Sequence, residues 1–354
     1  MRQTRRVRFL DVLIVHRFNG SVRMAGFHPK PSARPVMKFR STQTSFLRDA
    51  IALVTFATTC IAVSPLTATA QSASPNSAKS KRPPSTALPE GVELIRDIQY
   101  TSTPHGPLRL DLYRPETFNG NLPVIVFVHG GGWKAGDKQS ALKHAAWLAG
   151  DGYAIASINY RLLDVSAWPT QINDCYAAVR WVRTNANRYR LDPDRIVSWG
   201  TSAGGHLAAL MATRPYPGTE STSSRVQAGV DWFGPADLLT MPPNVVTETR
   251  SFEQVATSNG ARLLQAPVMS VPELAKQASA LYNVSADDPP MLIMHGDQDS
   301  GVPLDQSVRL ADALSKAGVP VQLEIIKGAG HGGKAFQTPQ ARDVVRRFLR
   351  KHLD

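Results

Sequence analysis

The most informative stretch of the sequence is Ile196-Val-Ser-Trp-Gly-Thr-Ser-Ala-Gly-Gly-His206. Residues 196–199 are apolar enough for a buried strand, and residues 203–213 have the composition of a helix. The pentapeptide Gly-Thr-Ser-Ala-Gly between them follows the G-x-S-x-G pattern, which places a serine on a sharp turn from strand to helix. The sequence therefore predicts a nucleophilic hydroxyl on Ser202, projected from the end of a central strand.

Apolar runs and helical periods alternate on both sides of this stretch. Strands are predicted at 94–102, 108–113, 124–128, 153–160, 196–199, 230–233, 291–294 and 321–326. Helices are predicted at 139–149, 171–185, 203–213, 304–317 and 335–349. This alternation is typical of an α/β fold with a mostly parallel sheet of about eight strands, covered by helices on both faces. The first two strands read as an antiparallel pair, and residues 236–285 interrupt the alternation as a cap or lid would.

A glycine-rich segment follows the predicted strand 124–128, with the sequence His129-Gly-Gly-Gly-Trp133. A nucleophile that attacks a carbonyl group creates an oxyanion, which needs donors already in place, commonly backbone amides. Successive glycines let amides point inward because no Cβ obstructs them. We interpret this loop as the source of such donors and His129 as a residue that braces it.

A serine nucleophile also needs a base and an acid that orients the base. His331 lies in a glycine-rich loop after the last predicted strand, and Asp299 follows the strand 291–294. The chain order Ser202, Asp299, His331 is the one expected of α/β-hydrolases. Two other acids, Asp297 and Asp305, lie nearby; the first is expected to cap backbone amides and the second to begin a helix.

The chain resembles the α/β-hydrolase superfamily, in particular the bacterial esterases related to feruloyl esterases (BD-FAE-like) and the hormone-sensitive-lipase-like carboxylesterases. The resemblance spans about residues 94–353 and rests on the two glycine motifs, on Asn-Tyr-Arg at 159–161, on Leu-Asp-Pro-Asp-Arg-Ile at 191–196 and on the segment 284–299.

The resemblance implies residue roles. Ser202 would be the nucleophile, Asp299 the acid and His331 the base, and the amides of Gly131, Gly132 and Ala203 would form the oxyanion hole. No family pattern covers residues 236–278, where acyl and leaving-group selectivity often resides.

The formal charge of +12 is concentrated at the N-terminus. Residues 1–50 hold eleven Lys and Arg against two acids, residues 51–70 hold no charge, and the remainder has a net charge of only +3. The charge therefore gives no support to nucleic-acid binding. The apolar run 50–63, preceded by basic residues and followed by Ala68-Thr-Ala70, is typical of a secretory signal peptide. An uncleaved membrane anchor or a lipid attached at Cys60 are the alternatives.

These observations predict the organisation of the chain. Residues 1–36 are expected to be a wrongly assigned extension before a true start at Met37, 37–70 a signal peptide cleaved near Ala70, 71–89 a disordered linker and 90–354 the catalytic domain. Cleavage would leave Cys175 without a disulfide partner. The mature protein is expected to be secreted or periplasmic, without stable membrane insertion.

The predicted function is hydrolysis of short-acyl carboxylic esters through a Ser-His-Asp triad, on a small-molecule substrate or on acetyl or feruloyl esters of a polysaccharide. The acyl and alcohol specificity and the oligomeric state have no signature in the sequence. No cofactor is expected, and no cluster has the spacing of a metal site. The alternatives are an arylformamidase-like amide hydrolase, a serine peptidase, and an inactive hydrolase fold used for binding.

Overall fold

The computed structural model describes residues 87–214 and 218–353. The expected extension 1–36, the expected signal peptide 37–70 and most of the expected linker 71–89 lie outside the described residues. No helix of the described part is long and apolar enough to cross a membrane.

The centre of the fold is one eight-stranded sheet in the order β1-β2-β4-β3-β5-β6-β7-β8. Its strands are β1 (Val92–Thr103), β2 (Gly106–Pro115), β3 (Leu122–Val128), β4 (Ala154–Ile158), β5 (Leu191–Thr201), β6 (Ala228–Trp232), β7 (Met291–Gly296) and β8 (Val321–Ile326). Strand β2 runs antiparallel to β1 and β4, and the other neighbours are parallel. The predicted fold class is confirmed.

The fully apolar β3 is explained by layers of helices on both faces of the sheet. Val124, Val126 and Val128 pack into one core, and Ile125 and Phe127 pack into the other, as the two-residue period of a strand requires. The first core is covered by α2 (Thr170–Thr184), α4 (Ala203–Thr213) and α8 (Leu304–Lys316), and the second by α1 (Ala141–His144) and α9 (Pro339–Leu353).

The prediction of one continuous helix at 139–149 is wrong. Only α1 is α-helical there, between 3-10 turns at Lys138–Ser140 and Ala146–Asp151. The Trp147 indole donates to the His144 carbonyl, and the Leu148 amide pairs with Ala145 instead of reaching that carbonyl. The last helix also begins later than predicted, at Pro339, a residue suited to the first helical position.

Short helices fill the segment between β6 and β7, where the sequence predicts a cap. They are α5 (Phe252–Ala256), α6 (Asn259–Leu264) and α7 (Pro272–Gln277). A further short α-helix of the described residues, α3 (Ala186–Tyr189), directly precedes β5. The strands β3, β5, β7 and β8 are parallel, so their carboxyl ends meet at one edge of the sheet. This edge carries the predicted site residues.

Candidate active site

Ser202 lies on the turn between β5 and α4 in a backbone conformation that side chains rarely adopt, with φ 55° and ψ −122°. Its amide donates to the Trp232 carbonyl at 2.8 Å, and its carbonyl accepts from the His206 amide at 2.9 Å. Strain of this kind persists only where the surroundings hold it. The turn is thus fixed both to β6 and to its own helix.

The two glycines of the pentapeptide are required by close backbone contacts. A Cβ on Gly200 would lie 2.0 Å from the Gly204 carbonyl oxygen, and a Cβ on Gly204 would lie 2.1 Å from the Val128 carbonyl oxygen. The Gly204 oxygen belongs to α4 and the Val128 oxygen to β3, so neither backbone atom can move without displacing its element. The glycines therefore let α4 approach β3 and β5 closely enough to expose the Ser202 hydroxyl.

His331 lies beside this hydroxyl. Its Nε2 is 2.8 Å from Ser202 Oγ, although the two residues are far apart in sequence. The ring packs edge-on against Phe233, with centroids 4.8 Å apart, and about a third of the side chain is exposed. Phe233 directly follows β6, and no sequence pattern marks it as part of the site.

Asp299 completes this chain of contacts. Its Oδ2 is 2.6 Å from His331 Nδ1, and its Oδ1 accepts from the amides of Gly301 and Val302 at 2.8 and 2.9 Å. The carboxyl group is fully buried. The structure therefore brings together the three predicted residues Ser202, His331 and Asp299.

The other two acids after β7 have different surroundings. Asp297 accepts from the Gly328 amide at 2.6 Å and so ties its loop to the one that follows β8. Asp305 lies in the first turn of α8, 3.9 Å from Arg309. Both placements match the expectations from sequence, and neither carboxylate has a recorded contact with His331.

The loop after β3 places the predicted oxyanion-hole residues beside Ser202. Gly131 has φ 112° and Gly132 has φ 61°, both favourable only to glycine. Ala203 is the first residue of α4. Within the described residues, the amides of Gly131, Gly132 and Ala203 have no recorded hydrogen-bond acceptor. These three amides are thus available to a bound oxygen, and their role stays a prediction.

Two buried histidines brace the surrounding loops. His129 stacks on Tyr160 with centroids 4.4 Å apart, in line with its expected bracing role. His206 accepts from the Trp133 indole at 3.3 Å through Nδ1, and its Nε2 donates to the Ala278 carbonyl at 2.6 Å. Burial lowers the pKa of His206 to about 4, so the ring is neutral near pH 7. This ring connects the glycine-rich loop after β3 (residues 129–133), α4 and the cap.

Two cavities meet at Ser202. One has a volume of about 190 Å³ and is walled largely by apolar side chains, including Leu238 and Met241 of the cap. The other is an open groove of about 610 Å³ whose lining includes Lys134 and Lys143. Ser202, His331, Gly132 and Asn259 line both. The cap residues gave no signal in the sequence because their segment has no regular period.

The described residues include no group of three or more His, Cys, Asp or Glu side chains arranged to hold a metal ion. The site offers the side chains and backbone amides described above. A serine in contact with an imidazole, next to unpaired amides, is the arrangement used for acyl transfer.

Curated relatives of this chain are esterases. It is 34% identical over 260 residues to esterase LipQ of Mycobacterium tuberculosis, covering 70% of this chain and 60% of LipQ. It is 33% identical over 222 residues to the probable carboxylic ester hydrolase LipM of the same organism, covering 58% of this chain and 48% of LipM. The chain thus spans about half to three fifths of the length of these relatives.

Solved structures of esterases also resemble this chain, and the match covers most of the length of each of those structures. A truncated carbohydrate esterase from gut microbiota is 31% identical, with a TM-score of 0.66, and the match covers 73% of this chain and 96% of that one. Esterase 2 of Thermogutta terrifontis is 26% identical, with a TM-score of 0.60, covering 76% and 94%.

The sequence profile of the BD-FAE family matches residues 110–314, which is more than half of the chain. The matched region runs from β2 to α8 and includes Ser202, Asp299 and the glycine loop. The expected resemblance is confirmed: the chain belongs to the BD-FAE family and has the fold of the α/β-hydrolase esterases.

Proposed function

We propose that this protein is a serine esterase that hydrolyses short-acyl carboxylic esters, with Ser202 as nucleophile, His331 as base and Asp299 as the acid that orients the base. The observation that carries the proposal is the continuous contact from Ser202 Oγ to His331 Nε2 at 2.8 Å and from His331 Nδ1 to Asp299 Oδ2 at 2.6 Å. The names of the relatives and of the similar structures support ester hydrolysis as the reaction.

The contacts support one arrangement of protons in the resting site. An ionised carboxylate only accepts, so the neutral imidazole carries its proton on Nδ1 and donates it to Asp299. Nε2 is then free to accept the proton of Ser202 Oγ as this oxygen attacks the ester carbonyl. Asp299 stabilises the imidazolium that forms and does not itself take the proton.

The tetrahedral intermediate places its negative oxygen among the amides of Gly131, Gly132 and Ala203. Each such donor contributes on the order of 3 kcal/mol to the lowering of the barrier. His331 then gives its proton to the departing alcohol, which leaves an acyl group on Ser202. Water attacks this acyl-enzyme by the same route and regenerates the free serine.

The two cavities suggest how an ester is oriented. The smaller, mostly apolar cavity of about 190 Å³ suits the acyl group, and the open groove of about 610 Å³ suits a bulky, hydrated alcohol. An acetyl or feruloyl ester on a polysaccharide fits this division. The similarity to a carbohydrate esterase supports the same substrate class.

The test is steady-state kinetics on p-nitrophenyl esters of increasing acyl length, beside acetylated and feruloylated oligosaccharides. We expect turnover with a preference for short chains, and a loss of about 10³-fold or more in kcat for Ser202→Ala. Retained activity in a correctly folded Ser202→Ala variant would show that another nucleophile acts. Hydrolysis of N-formylkynurenine in preference to all esters would favour the amide-hydrolase alternative.

Secretion forms a second part of the proposal and rests on the basic, apolar and small-residue segments within 37–70. N-terminal sequencing of the protein recovered from periplasm or medium is expected to begin at Gln71 or within a few residues of it. A membrane-bound protein that retains residues 50–63 would contradict this part and leave the esterase proposal untouched.

A further inference from the structure

A second imidazole lies behind the Asp299 carboxylate. His295, the penultimate residue of β7, is fully buried. Its Nδ1 is 2.6 Å from the Ser307 hydroxyl in α8, and its Nε2 is 2.8 Å from the Val302 carbonyl oxygen. The ring is thus held on both sides, by α8 and by the loop that contains Asp299.

These two contacts determine which nitrogen carries the proton. A carbonyl oxygen only accepts, so His295 Nε2 must carry the hydrogen, and Nδ1 then accepts from the Ser307 hydroxyl. Burial lowers the pKa of His295, which favours this neutral form. The hydrogen on Nε2 therefore points toward the Asp299 loop.

The same nitrogen is 3.2 Å from Asp299 Oδ2, the oxygen that faces His331 Nδ1. The two carboxylate oxygens are thus held differently. Oδ1 accepts from two backbone amides, of Gly301 and Val302, whereas Oδ2 has contacts only with the two imidazoles in the described part of the chain. Without His295, the oxygen that orients the base would keep no direct contact among the described residues except the one with the base itself.

We propose that His295 is a positioning residue, which shares its Nε2 hydrogen between Val302 O and Asp299 Oδ2 and so fixes the direction of the Asp299–His331 hydrogen bond. The inference rests on the proposed function, because it acts through Asp299 on His331. The alternative is a structural role, in which His295 only closes the loop through its bond to Val302.

A double-mutant cycle separates the two roles, because residues in one hydrogen-bond network are not additive and independent ones are. His295→Leu removes the donor, and His295→Gln retains an amide hydrogen at nearly the position of Nε2. Both are made in the wild-type and in the Asp299→Asn background. Thermal unfolding of all variants records how far each one is destabilised.

In the wild-type background we expect His295→Leu to lower kcat about 10-fold, as the loss of one hydrogen bond to a charged group would, with KM within about 2-fold. His295→Gln should recover most of this loss. In the Asp299→Asn background, His295→Leu should change kcat by no more than about 2-fold. An equal loss in both backgrounds, or an unchanged kcat in the first, would overturn the proposal.

Two further measurements keep the test valid if His295→Leu does not fold or if no ester is turned over. Ser307→Ala removes the hydroxyl that holds the His295 ring. It is expected to lower kcat about 3-fold when Asp299 is present and to leave kcat unchanged in the Asp299→Asn background. Equal losses in both backgrounds would overturn the proposal. The same cycle is run on the rate at which an organophosphonate labels Ser202. Failure of ester turnover would then count against the proposed function alone, while the labelling rates still test His295.

Discussion

The buried carboxyl group of Asp231 should make the stability of this protein depend on pH. Asp231 lies on β6, beneath the turn that carries Ser202, and its Oδ1 accepts from the Gly234 amide at 2.9 Å. Its Oδ2 is buried and has no hydrogen-bond partner among the described residues. Burial raises the pKa of Asp231 from 3.8 to about 7.

The magnitude follows from linkage. Between the unfolded pKa of 3.8 and the folded pKa of about 7, the folded protein holds a proton that the unfolded chain has released. The free energy of unfolding therefore falls by about 1.4 kcal/mol for each pH unit in this window, and the contribution is constant above it. Between pH 5 and pH 8, this one group should lower the free energy of unfolding by up to about 3 kcal/mol.

The test is urea unfolding of wild type and Asp231→Asn at pH 5 and pH 8. Because asparagine cannot ionise, the stability of the variant relative to wild type should rise by up to about 3 kcal/mol between these two values. The same substitution at the exposed Asp312 controls for the loss of a charge elsewhere. A difference between wild type and Asp231→Asn that stays constant with pH would refute the reasoning.

Three further outcomes are expected. Asp299→Asn should lower kcat by about 10⁴-fold. Asp297→Asn should leave kcat within a few-fold of wild type and lower the free energy of unfolding by about 0.5–2 kcal/mol, as for a lost cap. Kinetics and thermal unfolding distinguish the two variants, and the reverse result would assign the acid to Asp297. Gly204→Ala should give no soluble folded protein, because its methyl group would lie 2.1 Å from a main-chain oxygen of β3; soluble expression with a native circular dichroism spectrum would contradict this. His206→Leu should lower the free energy of unfolding by about 2–5 kcal/mol, because two buried polar groups lose their partner; an unchanged urea midpoint would show that the brace is dispensable.

Sequence was sufficient for the sheet and for the three residues that the structure brings into contact, Ser202, His331 and Asp299, because both depend on strong local patterns. Each predicted strand lies within or overlaps an observed one, and a run such as β3, apolar on both faces, has few other interpretations. The residues Ser202, Asp299 and His331 each follow a strand of the parallel sheet, and parallel strands bring their carboxyl ends to one edge. The topology therefore places the three residues at the same edge of the sheet.

Sequence was insufficient where side-chain contacts determine the conformation of the backbone or the packing of distant segments. The helix predicted at 139–149 is interrupted because the Trp147 indole takes a main-chain acceptor, a competition that periodicity does not report. In the cap, Asp237 is fully buried and paired with Arg309 of α8 at 2.9 Å, although the two are distant in sequence. Such long-range pairs become visible only once the elements are packed.

The single imidazole of His206 has a consequence for how new specificities can arise in this protein. Its two ring nitrogens connect the loop that carries the amides proposed for the oxyanion hole with the cap that lines the cavity proposed for the acyl group. A substitution that displaces Ala278 would alter selectivity and catalytic rate together, because both depend on the position of the His206 ring. Leu238 and Met241 line the cavity proposed for the acyl group and do not bond to this ring. Adaptation to a new acyl group should therefore begin at these two positions, where a substitution changes the lining of the cavity without removing either bond of the His206 ring.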